Sequence, residues 1–189
     1  VSLTVFVLLR SDKAQITQQY KYADDDSAAP DVFAREPYIV RFNLFGKGLR
    51  DLVLVPMHTV PENASREIDA LYDVFLDITG RWDAENIMLL GDLNASCGYV
   101  TLEEWKDIQL RSRNTFHWLI GDKDDTTVSE NTHCAYDRIV VHGEDFLKAI
   151  VPGSAKPFNF KKKLGLSDEE ALEVSDHFPV EVNLRVEPR

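Results

Sequence analysis

The sequence has no long apolar run, no excess of positive charge and almost no cysteine, and each of these lacks narrows what the chain does. The longest apolar stretch, residues 52–57, falls far short of the roughly 20 residues that a membrane-spanning helix requires. Against 32 Asp and Glu stand only 21 Lys and Arg, for a formal net charge of -11. That balance argues against a protein that coats nucleic acid through clustered cations. It leaves room for a hydrolase that meets a polyanion at a metal-loaded cleft, because bound divalent ions reverse the local sign. No Gly-x-Ser-x-Gly elbow is present, so acyl transfer on a serine of that type has no carrier. With only Cys97 and Cys134 available, the chain has either one disulfide, worth about 3–4 kcal/mol in the chain-entropy model, or two buried thiols. Residues 1–10 lack the basic leading region and small-residue cleavage site of a signal peptide and read instead as a strand.

What is present suffices for a core. Of 189 residues, 44% are hydrophobic and 10% aromatic, which fits one globular domain over residues 1–189. Residues 4–9 and 14–22 read as strands joined by a turn at Ser11-Asp12-Lys13, and residues 23–31 as an acidic surface loop. Strands follow at 38–44 and 52–58. From Pro61 the period changes: Ile68, Leu71, Val74, Phe75 and Ile78 recur at helical spacing until Gly80. A buried strand at 87–90, a short helix near 102–108, a loop over 121–133 and a strand at 137–141 come next. Ser167 with Glu170 three residues on marks a capping box for a last helix, and residues 180–186 alternate as a final strand. Strands and helices thus alternate without repeats, which makes the class α/β and places functional residues at strand ends. The chain opens in mid-sheet, so an N-terminal portion is expected to be absent.

Polar residues collect at those strand ends. Gly91-Asp92-Leu93-Asn94 puts a carboxylate and an amide on one side of the sheet, a pair that holds a metal or serves as an Asx turn. Ser175-Asp176-His177-Phe178-Pro179 sets a titratable ring beside an acid, for proton transfer or merely a surface turn. His58 ends a strand, where a lone His is usually structural. Asp137 in Tyr136-Asp137-Arg138 would orient an imidazole or pair with Arg138. Together the two His, three Asp and one Asn suit phosphodiester hydrolysis, in which water is activated, a leaving oxygen protonated and negative charge neutralised. His117, His133 and His142 lack such a setting.

Five motifs in order, Phe33-Ala34-Arg35-Glu36-Pro37, the His58 strand, Gly91-Asp92-Leu93-Asn94-Ala95, Cys134-Ala135-Tyr136-Asp137-Arg138-Ile139-Val140 and Ser175-Asp176-His177-Phe178-Pro179-Val180, resemble the deoxyribonuclease I family across essentially the whole chain. The resemblance implies a four-layer α/β sandwich of two packed, mostly antiparallel sheets flanked by helices, the first sheet incomplete. His58 and His177 would be the acid–base pair, with Asp137 orienting His177; Asp92, Asn94 and Asp176 would bind Mg²⁺ or Mn²⁺ and the scissile phosphate. Arg35 and Tyr136 would contact DNA, and Cys97 and Cys134 would form the family's disulfide, which points to secretion. Asp125 and Thr127 fall where the family has one Ca²⁺ site, and Asp31, Phe33 and Glu36 near a second; hard oxygen ligands suit that ion.

Departures from the family are also visible. Its first metal-binding Asn, its metal-binding Glu, much of its DNA-contacting loop and its actin-contacting region would precede Val1, so the chain is expected to lack the domain's N-terminal third. Leu3 stands where a Glu would orient His58, Leu93 replaces a Phe and Ser96 an Asp. Of two sequons, Asn63-Ala64-Ser65 suits glycosylation better than Asn94-Ala95-Ser96, which lies at the cleft. The expected function is a secreted, monomeric, metal-dependent endodeoxyribonuclease impaired by truncation. Alternatives are a phosphatase or phosphodiesterase acting on a small phosphate ester, and a catalytically inactive binding protein.

Overall fold

A computed structural model describes residues 7–23 and 31–185. Its main element is a six-stranded sheet in the order β1-β2-β3-β4-β6-β5, formed by β1 (Ala14–Lys21), β2 (Tyr38–Leu44), β3 (Asp51–His58), β4 (Ile87–Asp92), β5 (His117–Trp118) and β6 (Asp137–His142). Every neighbouring pair is antiparallel except β3 and β4, which run parallel. A parallel pair needs a crossover, and helix α1 (Ala64–Trp82) supplies it.

Strand alternation sends side chains to two different cores. Val53, Val55, Met57, Ile87, Leu89 and Val140 pack with Ile68, Leu71, Val74 and Ile78 of α1, while Leu52, Met88, Ile139 and Val141 join Ile120 and Phe146 on the other face. Both faces are covered, which is why these strands read as continuous apolar runs. Against the second face lie α4 (Glu144–Ala149) and a two-stranded sheet of β7 (Lys156–Pro157) and β8 (Val180–Glu181), whose Val180, with Val182 and Leu184 beyond it, packs on that core. Helices α5 (Phe160–Leu164) and α6 (Asp168–Val174) follow β7 and meet Phe178 through Phe160 and Ala171. The architecture is therefore the expected α/β sandwich, with sheets of six and two strands.

Several local expectations need correction. Residues 4–6 lie outside the described part, and 7–9 form no strand; the turn at 11–13 is present, with Lys13 and Ala14 N–H both bonded to the Arg10 carbonyl, but β1 pairs with β2. Residues 24–30 of the acidic loop also lie outside. The single helix near 102–108 is two short ones, α2 (Glu104–Asp107) and α3 (Gln109–Ser112), because Ile108 between them is extended with ψ 114. Of the expected strand at 180–186, residue 186 lies outside the described residues, and among the others only Val180–Glu181 form a strand, with one further bridge from Leu184 to Ile150. Alternation alone makes no strand where no partner backbone lies alongside.

Candidate active site

Strand register assembles the site. In the parallel pair His58 lies level with Asp92, and in the antiparallel pair Asp92 lies level with Asp137, so three polar residues stand in one row across the ends of three adjacent strands. Gly91 permits this. A Cβ there would sit 2.1 Å from the Met57 carbonyl oxygen, and its φ of +127° lies in the region that L-residues avoid. The fourth member, His177, arrives from the segment before β8, which is stitched to the 126–128 loop by a Thr127–His177 bridge.

Distances tie the row together. His177 Nδ1 is 2.7 Å from Asp137 Oδ2 and 3.9 Å from Asp92 Oδ2, and His58 Nε2 is 3.4 Å from that same Asp92 oxygen. Asp92 Oδ1 meanwhile accepts the Asn94 N–H at 3.0 Å. The Asx-turn reading and the functional reading therefore both hold, one for each oxygen. Asn94 does not leave the sheet by strand alternation as expected: β4 ends at Asp92, and Asn94 adopts a left-handed φ of 47°, buried, with its amide donating to the Thr59 carbonyl. Nor does Asp137 pair with Arg138, which instead donates to the Ala135, Ile120 and Ala95 carbonyls and pairs with Asp122.

The electrostatics follow from this crowding. The bond to Asp137 outweighs the cost of burial and raises His177 to about 9, with Asp137, Asp92 and Asp176 all favouring its charged form. Asp92 is held above the usual carboxylate range, first by burial and also by repulsion from Asp137, while the Asn94 N–H and both imidazoles pull the other way. Ligand atoms of Asp92, Asp137 and His177 all lie within 4.8 Å of one another. Two crowded carboxylates, one of them disfavoured as an anion, fit a hard divalent cation that would relieve their repulsion. His177 suits that ion less than the carboxylates do, since its Nδ1 is engaged by Asp137.

A family model described as the Endonuclease/Exonuclease/phosphatase family matches residues 4–177. The chain belongs to that family. Over 178 residues it is 47% identical to deoxyribonuclease gamma of Rattus norvegicus, covering 94% of this chain and 57% of that protein. It is 48% identical to deoxyribonuclease-1 of Sus scrofa over 181 residues, 94% and 63% of the two chains, and 49% identical to deoxyribonuclease-1-like 1 of Mus musculus over 180 residues, 94% and 54%. The chain thus spans a little over half the length of these relatives. Among solved structures, D. rerio TDP2 complexed with single strand DNA product matches with TM-score 0.62 at 14% identity over 94% of this chain and 71% of that one. The human Nocturnin catalytic domain matches with TM-score 0.57 at 11% identity, over 93% and 61%. At such identities these two matches bear on the fold, which is that of the endonuclease/exonuclease/phosphatase family.

Around this row stand the remaining candidates. Arg35 donates to the His58 carbonyl at 3.1 Å, and Tyr136 stacks on the His177 ring at 5.7 Å with Tyr99 beside it, so both flank the cleft. Asp176 is exposed, and its carbonyl accepts from Val128. Cys97 and Cys134 form a disulfide with Cα atoms 5.9 Å apart, joining the loop after β4 to the loop before β6. Leu3 lies outside the described residues; His58 has Asp92 within reach instead. Of the calcium candidates, Asp125 accepts from the Thr127 N–H and hydroxyl and lies 2.8 Å from His133 Nδ1. Burial opposes its ionisation, but the Thr127 and His133 hydrogen bonds win and hold its pKa low. His133, set aside in the sequence, thus has a carboxylate partner. Asp31 is exposed, Phe33 is buried against Tyr22, and Glu36 pairs with Lys21 at 2.8 Å, so these three form no acidic cluster. Sequence reasoning also missed Thr59 and Thr126, whose role depends on loops meeting in space and leaves no local pattern.

Proposed function

We propose that this chain carries the acid–base machinery of a secreted endodeoxyribonuclease that hydrolyses DNA phosphodiesters with Mg²⁺ or Mn²⁺ and is stabilised by Ca²⁺ at its Asp125–Thr127 loop. The observation that carries the reading is the row itself: two imidazoles on either side of Asp92, one of them held by Asp137. Hydrolysis of a phosphodiester requires a proton to leave the attacking water and another to reach the departing oxygen. His58 and His177 divide that work. Asp137 accepts a hydrogen bond from the Nδ1–H of His177, which fixes the ring and leaves Nε2 to face substrate, as carboxylates do for catalytic histidines elsewhere. Asp92, Asn94 and Asp176 would hold the ion and the phosphate, and the ion would supply neutralisation of charge on the scissile group. Arg35 and Tyr136 line the DNA path beside His58 and His177. The disulfide supports an oxidising compartment, hence secretion. The names of the relatives support DNA as substrate. We take the protein to act as a monomer and assign no residue here to actin.

Nicking of supercoiled plasmid tests the reading, using this chain and a version extended at its N-terminus, with and without chelator. Chelator-sensitive nicking that disappears in His177→Ala is expected. Nicking that ignores chelator, or full activity in that variant, overturns the proposal.

A further inference from the structure

Asp137 and His177 sit 40 residues apart, and something must hold their two chain segments in register to keep a 2.7 Å bond. One buried residue touches both. The Thr126 hydroxyl, fully excluded from solvent, accepts the backbone N–H of Tyr136 at 3.1 Å and of Asp137 at 3.2 Å, and donates to the Cys134 carbonyl at 3.2 Å. Its own N–H reaches that same carbonyl at 3.0 Å. On the other side its carbonyl accepts the Phe178 N–H at 2.8 Å, and Val128 N–H reaches the Asp176 carbonyl at 2.9 Å, so the loop brackets His177. A hydroxyl has two acceptor lone pairs and one donor, and all are spent here on the segment 134–137 that leads into β6 and bears Asp137.

We propose that Thr126 is a positioning residue for the Asp137–His177 pair, its hydroxyl fixing the backbone that carries Asp137 while its carbonyl fixes the backbone that carries His177. The inference rests on the acid–base reading above. Serine keeps the hydroxyl and valine keeps the shape, so the two substitutions separate hydrogen bonding from packing. Valine leaves two partly buried N–H groups without their acceptor, and the Asp137 backbone then relaxes away from His177.

The test compares Thr126→Val and Thr126→Ser, with Thr126→Ala used should valine fail to fold. Steady-state cleavage of DNA is expected to show kcat lowered about ten- to hundredfold in the valine or alanine variant, the scale seen when a partner that orients a site residue is lost, with KM little changed. The serine variant restores it. In parallel, NMR of the chelated protein is expected to show the His177 Nδ1 proton resonance, the signature of its bond to Asp137, lost or shifted in the valine variant and retained in the serine variant, together with faster amide exchange at Tyr136 and Asp137. An unaltered His177 resonance with those amides exposed, or an unchanged kcat, overturns the positioning role. Failure of the N-terminally extended, otherwise unaltered protein to cleave DNA overturns the nuclease reading instead, and the NMR comparison still decides whether Thr126 holds the pair.

Discussion

At the scale of single residues, the site depends on an atom that is not there. Gly91 lets β4 approach β3 closely enough for Asp92 to face His58, and a methyl group would collide with the Met57 carbonyl. Gly91→Ala is expected to destabilise the fold by about 2–4 kcal/mol, from strain at positive φ plus the overlap. Urea unfolding checks it, and a change below about 0.5 kcal/mol, the level of an ordinary surface substitution, would mean that the two strands yield freely. Asp137 makes a second residue-level prediction for the metal-free protein. Its bond raises His177 from the ordinary 6.5 to about 9. A folded-state pKa above the unfolded one contributes stability that is complete below about pH 6.5 and disappears as pH rises through 9. The stability difference between the unaltered protein and Asp137→Asn should therefore shrink over that interval in chelator; a difference constant from pH 6 to 10 contradicts it. His58, Asp92, Asp137 and His177 were all legible as polar residues at or beside the ends of apolar strands. Thr126 and the carbonyl-bound Arg138 were not, since each satisfies backbone groups contributed by distant loops, and nothing local in sequence encodes that.

Elements were legible where periodicity was long. The strands at 38–44 and 51–58 and helix α1 carry seven or more residues of consistent pattern; the structure has the strands within a residue, while residues 61–63 form a 3-10 turn before α1 and the helix runs two residues past the expected stop at Gly80, to Trp82. By contrast β5 and β7 have two residues each and α4 and α5 have six and five, too few for a period to show. Helix α6 is as short, at seven residues, yet it was marked by its capping box, which the structure contains: Ser167 Oγ accepts the Glu170 N–H and Glu170 accepts the Ser167 N–H. Those bonds from Ser167 hold the Glu170 carboxyl below its ordinary pKa. A depressed folded-state pKa contributes stability above the unfolded value of 4.5 and loses it as pH falls. Amide exchange in α6 should therefore accelerate below about pH 4.5 more than in α1, and Ser167→Ala should remove that difference; equal acid sensitivity of both helices would refute it. Because α6 ends at Ser175, whose hydroxyl accepts the His177 N–H, fraying there reaches the site.

For the molecule as a whole, charge separates specific from general stabilisation. A net charge of -11 repels itself, so any added salt steadies the fold somewhat by screening, and a bare rise in melting temperature with Mg²⁺ would carry little information. The site predicts something narrower. Asp92 and Asp137 face each other across a register pair with His58 and His177 beside them, and Asp92 resists ionising there. A divalent ion that binds this folded arrangement and not the unfolded chain stabilises by linkage, about 2.7 kcal/mol when free ion stands at 100 times its dissociation constant. Monovalent salt at matched ionic strength supplies the screening but not the linkage. Mg²⁺ or Mn²⁺ should therefore raise the melting temperature beyond NaCl at equal ionic strength, and the excess should vanish in Asp92→Asn while the common screening effect stays. Asn at position 92 keeps an oxygen to accept the Asn94 N–H, so the turn after β4 survives and the comparison isolates the charge. An excess that persists undiminished in Asp92→Asn would locate the stabilising ion elsewhere, with the Asp125 loop the next place to substitute.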